Sequence, residues 1–232
     1  MALNPRQERS LTTQTALMDA AEALIAERGL ENVSIRAIVA KAGQKNESAL
    51  QYHFKSFQGL IVAIHKRRST ETQARRAELY AKLLAETPEP DLRQLCLLMV
   101  QPSFDLACAS VSFRRYVKAF GHELALSETS ALALATTHGG GGESGQQLGL
   151  LLKGALPQLS MDAFRRRMET AVRLCSASMY HQARQKTAFR GAEADLFLHS
   201  LVDALVGLLS APESKESRAL ARKLSSDQPS AS

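Results

Sequence analysis

The sequence predicts an all-α fold, and three features point that way. Apolar residues fill 45% of the 232 positions, Leu and Ala prevail, aromatic residues reach only 5%, and Trp is absent. That is a composition of good helix formers. Apolar side chains recur at the i, i+3, i+4, i+7 spacing of one helix face through most of the chain. Stretches rich in β-branched residues are few, and no convincing hairpin turn appears. The length suffices for one large or two small domains with a real core.

Taken in order, residues 1–11 read as a flexible polar arm carrying Arg6 and Arg9. A first helix follows, capped by the hydroxyl of Thr12 or Thr13, with Leu17, Ala20, Ala21, Leu24 and Ile25 on one face. Gly29 stops it. Ser34 caps a short second helix whose stripe is Ile35, Ile38, Val39 and Ala42, ending at Gly43. After the turn Gly43-Gln44-Lys45, Asn46 caps a short third helix through Ala49, Leu50, Tyr52, His53 and Phe54. Ser56 caps a fourth, with Leu60, Ile61 and Ile64 inward and Lys66-Arg67-Arg68 solvated; it runs toward Leu84 and stops before Pro88.

Further helices are expected over about 91–109, bent at Pro102, over 113–126, over 130–137 and over 146–155. The break between the last two holds Gly139 to Gly142, a flexible loop. It has neither the Lys-Ser/Thr nor the preceding strand of a phosphate-binding loop, which argues against nucleotide binding. Two long helices close the fold, 162–186 and one from near Ala192 to just before Pro212. The second is apolar nearly all round from Leu196 to Leu209, so most of its sides must be covered. Residues 213–232 are Ser-rich and charged and read as a disordered tail.

The net charge is +6, unevenly spread. Met1 to Arg68 hold 10 Lys/Arg against 6 Asp/Glu, and the rest of the chain 19 against 17. A locally basic region suits a polyanion such as nucleic acid, although a mildly basic surface without a partner fits the same count. Cys96, Cys108 and Cys175 form no CxxC pair and read as buried free thiols of a reducing compartment. The polar start Met1 to Ser10 is no signal peptide, and no apolar run is long enough to span a bilayer. A cytoplasmic protein with no membrane partner is expected. No metal-ligand spacing and no nucleophile–base set stands out, so neither a cofactor nor an enzymatic activity is expected.

The stretch "AGQKNESALQYHF" puts a crowd of polar groups at the front of a short, apolar-anchored helix. Two short helices around a tight Gly turn form a helix-turn-helix, whose second helix can enter a major groove with its first residues against base edges. Leu50 and Phe54, i and i+4, anchor that helix, leaving Glu47, Ser48 and Gln51 free for bases. Lys45, Tyr52, His53 and Lys55 suit phosphates, as do Thr12 and the helix N-termini at Ser34 and Ser56. A helical hairpin whose polar residues only face water has the same pattern.

Residues 12–66, with "LMDAAEALIAERGLENVSIRAIVAKAG" and "ALQYHFKSFQGLIVAI", resemble the DNA-binding domain of the TetR family of transcriptional regulators. "HSLVDALVGLLSAP" resembles the last helix of many members. The resemblance implies that Arg36 reaches a base or phosphate, that Glu47, Ser48 and Gln51 are recognition-helix positions, and that Tyr52 and His53 contact phosphates. Two departures stand out: one extra turn residue near Gln44, and Phe57 where the family usually has a phosphate-gripping Lys, a role open to Lys55.

The resemblance further implies an N-terminal three-helix helix-turn-helix domain (12–66) joined through a long helix to a larger helical effector-binding and dimerisation domain (67–212). Such a chain would be a sequence-specific, homodimeric repressor, released from a palindromic operator by a small apolar or amphipathic effector. Pairing the 162–186 helix and the last apolar helix across a two-fold axis makes a four-helix interface, with Met168, Cys175, Met179, Phe197, Leu201, Leu205 and Leu208 as its candidates. An intrachain core explains the same apolar helix. Candidates for the effector pocket are Arg114, Tyr116, His122, Glu123, Tyr180 and His181. The alternatives are a helical small-molecule-binding protein or enzyme without DNA binding, and an activator on the same fold.

Overall fold

A computed structural model describes residues 4–137 and 142–226. Its helices are α1 (Pro5–Arg28), α2 (Ile35–Lys41), α3 (Ser48–Phe54), α4 (Phe57–Glu86), α5 (Leu92–Ala109) and α6 (Val111–Phe120). The chain continues through α7 (Glu123–Leu126), α8 (Ala131–Thr137), α9 (Gly142–Ala155), α10 (Met161–Ala183), α11 (Gly191–Ser210) and α12 (Lys215–Ser226). No strand occurs among the described residues, so the all-α expectation holds.

Local chemistry explains the elements and their departures. Ser34 and Ser56 cap α2 and α4 through bonds from Ala37 N (3.2 Å) and Gly59 N (2.9 Å), as expected. The expected arm is instead helical from Pro5, because Asn4 and Gln7 form a capping box and Pro5 takes the first helical position. Thr12 therefore lies inside α1, its hydroxyl donating to Glu8 O at 2.9 Å, and caps nothing. The expected 113–126 helix breaks after Phe120. A Cβ at Gly121 would come within 3.2 Å of Tyr180 Cβ, so glycine there admits α10, and Ser176 Oγ donates to Gly121 O. α10 ends at Ala183, short of Lys186. Of the tail expected to be disordered, 215–226 are helical as α12, which Ser214 opens by accepting from Ser217 N, and 227–232 lie outside the described residues. Of the glycine loop, 138–141 lie outside the described residues, and Gly142 begins α9. Cys96 is buried, but Cys108 is exposed, contrary to expectation.

Two cores meet. The first joins Leu17, Leu24 and Ile25 of α1 with Ile38, Leu50, Leu60 and Ile64, and it also takes in Ala119 and Phe120 of α6. The second joins α5, α6, α9, α10 and α11. Tyr116 packs against both. The boundary drawn at 66/67 is thus no packing boundary: α6 belongs to both cores, and so does α4. The start of α4 lies in the first core, whereas Leu79, Tyr80 and Leu83 near its end lie on the second. At 30 residues, α4 spans about 45 Å.

Met168, Met179, Leu201 and Leu205 are buried in the second core of a single chain, and Cys175, Phe197 and Leu208 pack against it. The first four are therefore unavailable to a partner. The outward stripe of α11 includes Leu196, His199, Ser200, Asp203, Ala204 and Gly207. No single described helix is long and apolar enough to cross a membrane; α11 and α12 pass that test only together, bent by 63°.

Candidate nucleic-acid interface and cavity

The third helix is set by its two anchors. Leu50 is fully enclosed and Phe54 is 9% exposed, so the opposite side of α3 must face outward. Glu47, Ser48, Gln51 and Tyr52 are exposed, as are Arg36, Lys45 and Lys55. Asn46 Oδ1 accepts from Ser48 N at 2.9 Å and holds the first turn. Gly59 is what lets α4 begin so close to α3: a Cβ there would sit 2.0 Å from Phe54 O. Lys55, which ends α3, has φ 67°, a left-handed conformation that costs a non-glycine residue energy.

The structure brings most of the sequence-predicted set together, with qualifications. The hydroxyls of Ser34 and Ser56 are occupied as caps, leaving backbone N–H groups for an anion. His53 is only half-buried; its Nδ1 lies 3.4 Å from Gln14 Nε2, and burial pushes its pKa down, so a neutral imidazole is favoured. Sequence reasoning missed the start of α1. Asn4, Arg6, Gln7, Ser10 and Leu11 share a shallow groove with Tyr52, placing Arg6 beside the α3 surface. The signal was available in the Asn4-Pro5 pair followed by Gln7, which is a helix start.

Behind this face, α1, α4 and α6 are tied by a buried charge cluster. Glu22 is fully enclosed and Arg68 is 4% exposed. Arg68 Nε and Nη2 donate to the two oxygens of Glu22 at 2.8 and 2.5 Å, Nη2 also reaches Ser112 Oγ, and Nη1 donates to Glu71 at 2.9 Å. Arg67 lies 3.0 Å from Glu22 and 2.9 Å from Asp19. Burial alone would push the Arg68 pKa down; the hydrogen bonds and charges of Glu22 and Glu71 outweigh it and raise it. The expected solvated stretch 66–68 is thus solvated only at Lys66.

A cavity of about 280 Å³ lies between α4, α5, α6 and α10. Its walls are mostly apolar, including Met99, Val100, Phe113, Val117, Phe120, Val172 and Met179, with Arg68, Thr72 and Arg76 of α4 and Ser103 of α5 as polar groups. Of the predicted pocket residues, Tyr116 and Glu123 line it. His65, buried on α4, touches both: its Nδ1 is 3.2 Å from Tyr116 Oη and its Nε2 3.3 Å from Glu123. Burial pushes the Glu123 carboxyl up to about 7. Burial, and then the charges of Glu123 and Glu22, also push the Tyr116 phenol up.

The other four candidates lie outside the lining. Arg114 Nη1 donates to Ala107 O and Cys108 O, closing the end of α5. His122 packs on Tyr180 at 5.0 Å between ring centroids, and His181 is exposed beside Gln185. The missed lining residues Arg68, Thr72 and Arg76 stand i, i+4, i+8 on α4, a polar stripe that sequence alone reads as solvent-facing.

Residues 17–64 match the family described as bacterial regulatory proteins, tetR family. Among curated proteins, none matches the chain. A tetR-family transcriptional regulator from Streptomyces coelicolor is 19% identical and shares the fold, with TM-score 0.53 over 94% of this chain and 90% of its own. GusR of Salmonella enterica (20% identical, 86% and 96% covered) scores 0.48, and RolR in complex with resorcinol (13%, 90% and 98%) scores 0.49. The matched segment contains α2, α3 and the outward side chains just described, and the likeness in fold extends over both cores. Residues 17–64 are thus a tetR-family segment, and the chain shares the fold of a tetR-family regulator.

Proposed function

We propose that this chain acts as a homodimeric repressor, bound to a palindromic operator through α3 and released when a small molecule occupies the cavity. The observation that carries this reading is the position of α4. Its first turns hold α3 through Gly59 and Leu60, and Arg68, Thr72 and Arg76 further along it line the cavity. Whatever fills the cavity therefore touches the helix on which the reading head rests. Glu47, Ser48 and Gln51 would read base edges, with Arg36 at the groove wall, while Lys45, Tyr52, Lys55 and the N-termini of α2 and α4 would grip phosphates. His53, half-buried, would contribute mainly by position. Arg6 joins the phosphate set through its groove with Tyr52.

Dimerisation supports such reading because one seven-residue helix covers few base pairs, whereas two copies cover half-sites one helical turn apart. The outward stripe of α11 suits a two-fold contact. Leu196 is 68% exposed, and Ser200, Ala204 and Gly207 are small enough for close helix approach.

The test is selection of bound sequences from random duplex DNA by the purified chain, with mass measured in solution. An inverted repeat bound by a dimer, with affinity falling steeply as salt rises, is the expected result. A monomer indifferent to duplex DNA at low salt would overturn the proposal.

A further inference from the structure

We propose that the cavity takes a small, chiefly apolar organic acid whose carboxylate is held by Arg76. This deepens the effector reading of the cavity and rests on it. Arg68 and Arg76 both line the cavity, but their surroundings differ. Arg68 is matched by Glu22 and Glu71. Arg76 has two long contacts to neutral oxygens, Nε to Leu98 O at 3.4 Å and Nη1 to Ser144 Oγ at 3.3 Å. No carboxylate pairs with it among the described residues. Residues 138–141, between α8 and α9, are His and three Gly and carry no acid either.

A guanidinium withdrawn from water without a counter-charge is costly, and a ligand carboxylate relieves that cost through two parallel N–H···O bonds. Burial pushes the Arg76 pKa down, the direction expected of a cation in that position. Ser103 lines the same cavity from α5, and its hydroxyl has no hydrogen-bond partner among the described residues, so it can serve the second carboxylate lone pair. Most of the remaining lining is apolar, with Thr72, Tyr116 and Ser176 among its neutral polar groups, and 280 Å³ is at the small end of ligand pockets. Glu123, also in the lining, does not call for a cation. With its carboxyl pushed up to about 7, it is partly protonated at neutral pH and faces His65.

The experiment titrates octanoate and 4-phenylbutyrate, each beside its amide, into the full chain by calorimetry. The acids should bind at least about tenfold more tightly than their amides. Arg76→Gln should abolish that preference, and Arg76→Lys should keep part of it. Arg76→Leu, which removes the unpaired cation, should melt no lower than the parent chain and supplies a readout independent of ligand. Equal affinity for acid and amide, absence of binding by both acids, an undiminished acid preference in Arg76→Gln, or failure of all three variants to fold would each overturn the assignment. A parallel gel-shift on selected operator DNA separates the two readings. Acid binding without release leaves the anion site and removes the effector role; release by amides as well as acids does the reverse.

Discussion

Replacing Glu22 by Gln tests the account of the buried charge cluster most directly. The substitution keeps the volume and removes one charge from a site that is closed to water. The carboxylate now accepts from Arg68 Nε at 2.8 Å and from Nη2 at 2.5 Å, with Arg67 a further 3.0 Å away. A glutamine offers one oxygen to these donors, and its amide N–H₂ would confront a guanidinium, donor against donor. Two opposite charges near 4 Å are worth about 4 kcal/mol at the effective dielectric of such sites. Breaking a buried pair from one side costs about 3–5 kcal/mol. For a chain of this length, each kcal/mol moves the melting point by about 2–4 °C, so a fall of about 6–20 °C is expected. Calorimetric melting of the full chain measures it. The companion Glu22→Leu/Arg68→Met removes both charges and should regain most of the loss, because well-packed apolar replacements of buried pairs are often neutral. A fall below about 3 °C for Glu22→Gln would mean that the pair is worth no more than a surface ion pair, and the reasoning fails.

Three other outcomes are expected. Glu123 has a folded pKa raised from 4.5 to about 7, so the folded state binds the extra proton and stability falls as pH rises from about 5 to 8. Chemical denaturation across that range should show the decline, up to about 3 kcal/mol, and Glu123→Gln should flatten it. Lys55→Gly should raise the melting point by relieving the φ of 67° while weakening DNA binding through the lost cation, a split that a purely structural Lys55 would not give. Gln51→Ala should relax base preference at one position by about 1–3 kcal/mol of discrimination, whereas Tyr52→Phe should weaken binding to all sequences alike; identical behaviour of the two in a binding-site selection contradicts the sorting of base from phosphate contacts.

Where local signals and packing agree, the sequence could be read directly. Ser34 and Ser56 announce their caps, and the Leu50–Phe54 pair fixes which side of α3 faces out, because anchor and exposed face follow from one periodicity. The start of α1 was misread because residues 1–11 are polar and offer no apolar stripe, whereas the helix is opened by the Asn4–Gln7 capping box with Pro5 at its first position. The cavity was largely illegible for a different reason. Arg68 and Arg76 look like a solvated stripe, and only tertiary packing of α1, α5 and α6 encloses them. Four of the seven dimer candidates, Met168, Met179, Leu201 and Leu205, are covered by their own chain on the same ground: periodicity alone did not say which sides of α10 and α11 that chain would bury.

The strengths of the contacts around α4 also say where movement would occur if occupancy of the cavity releases DNA. Coupling free energies between sites are commonly about 1–3 kcal/mol. The Glu22–Arg68 link, at about 3–5 kcal/mol, is too strong for such a ligand to break, so α1 and the first half of α4 should move as one body. The contacts of His65 are softer, at 3.2 Å to Tyr116 and 3.3 Å to Glu123, and both partners belong to the cavity wall. A ligand that draws either side chain inward would loosen the hold of α6 and α7 on α4 while leaving the charge cluster whole. Hydrogen exchange separates the two cases. Ligand-dependent change confined to α6, α7 and the middle of α4, with α1 unaltered, fits a hinge at His65; increased exchange through α1 would place the break at Glu22 and refute it.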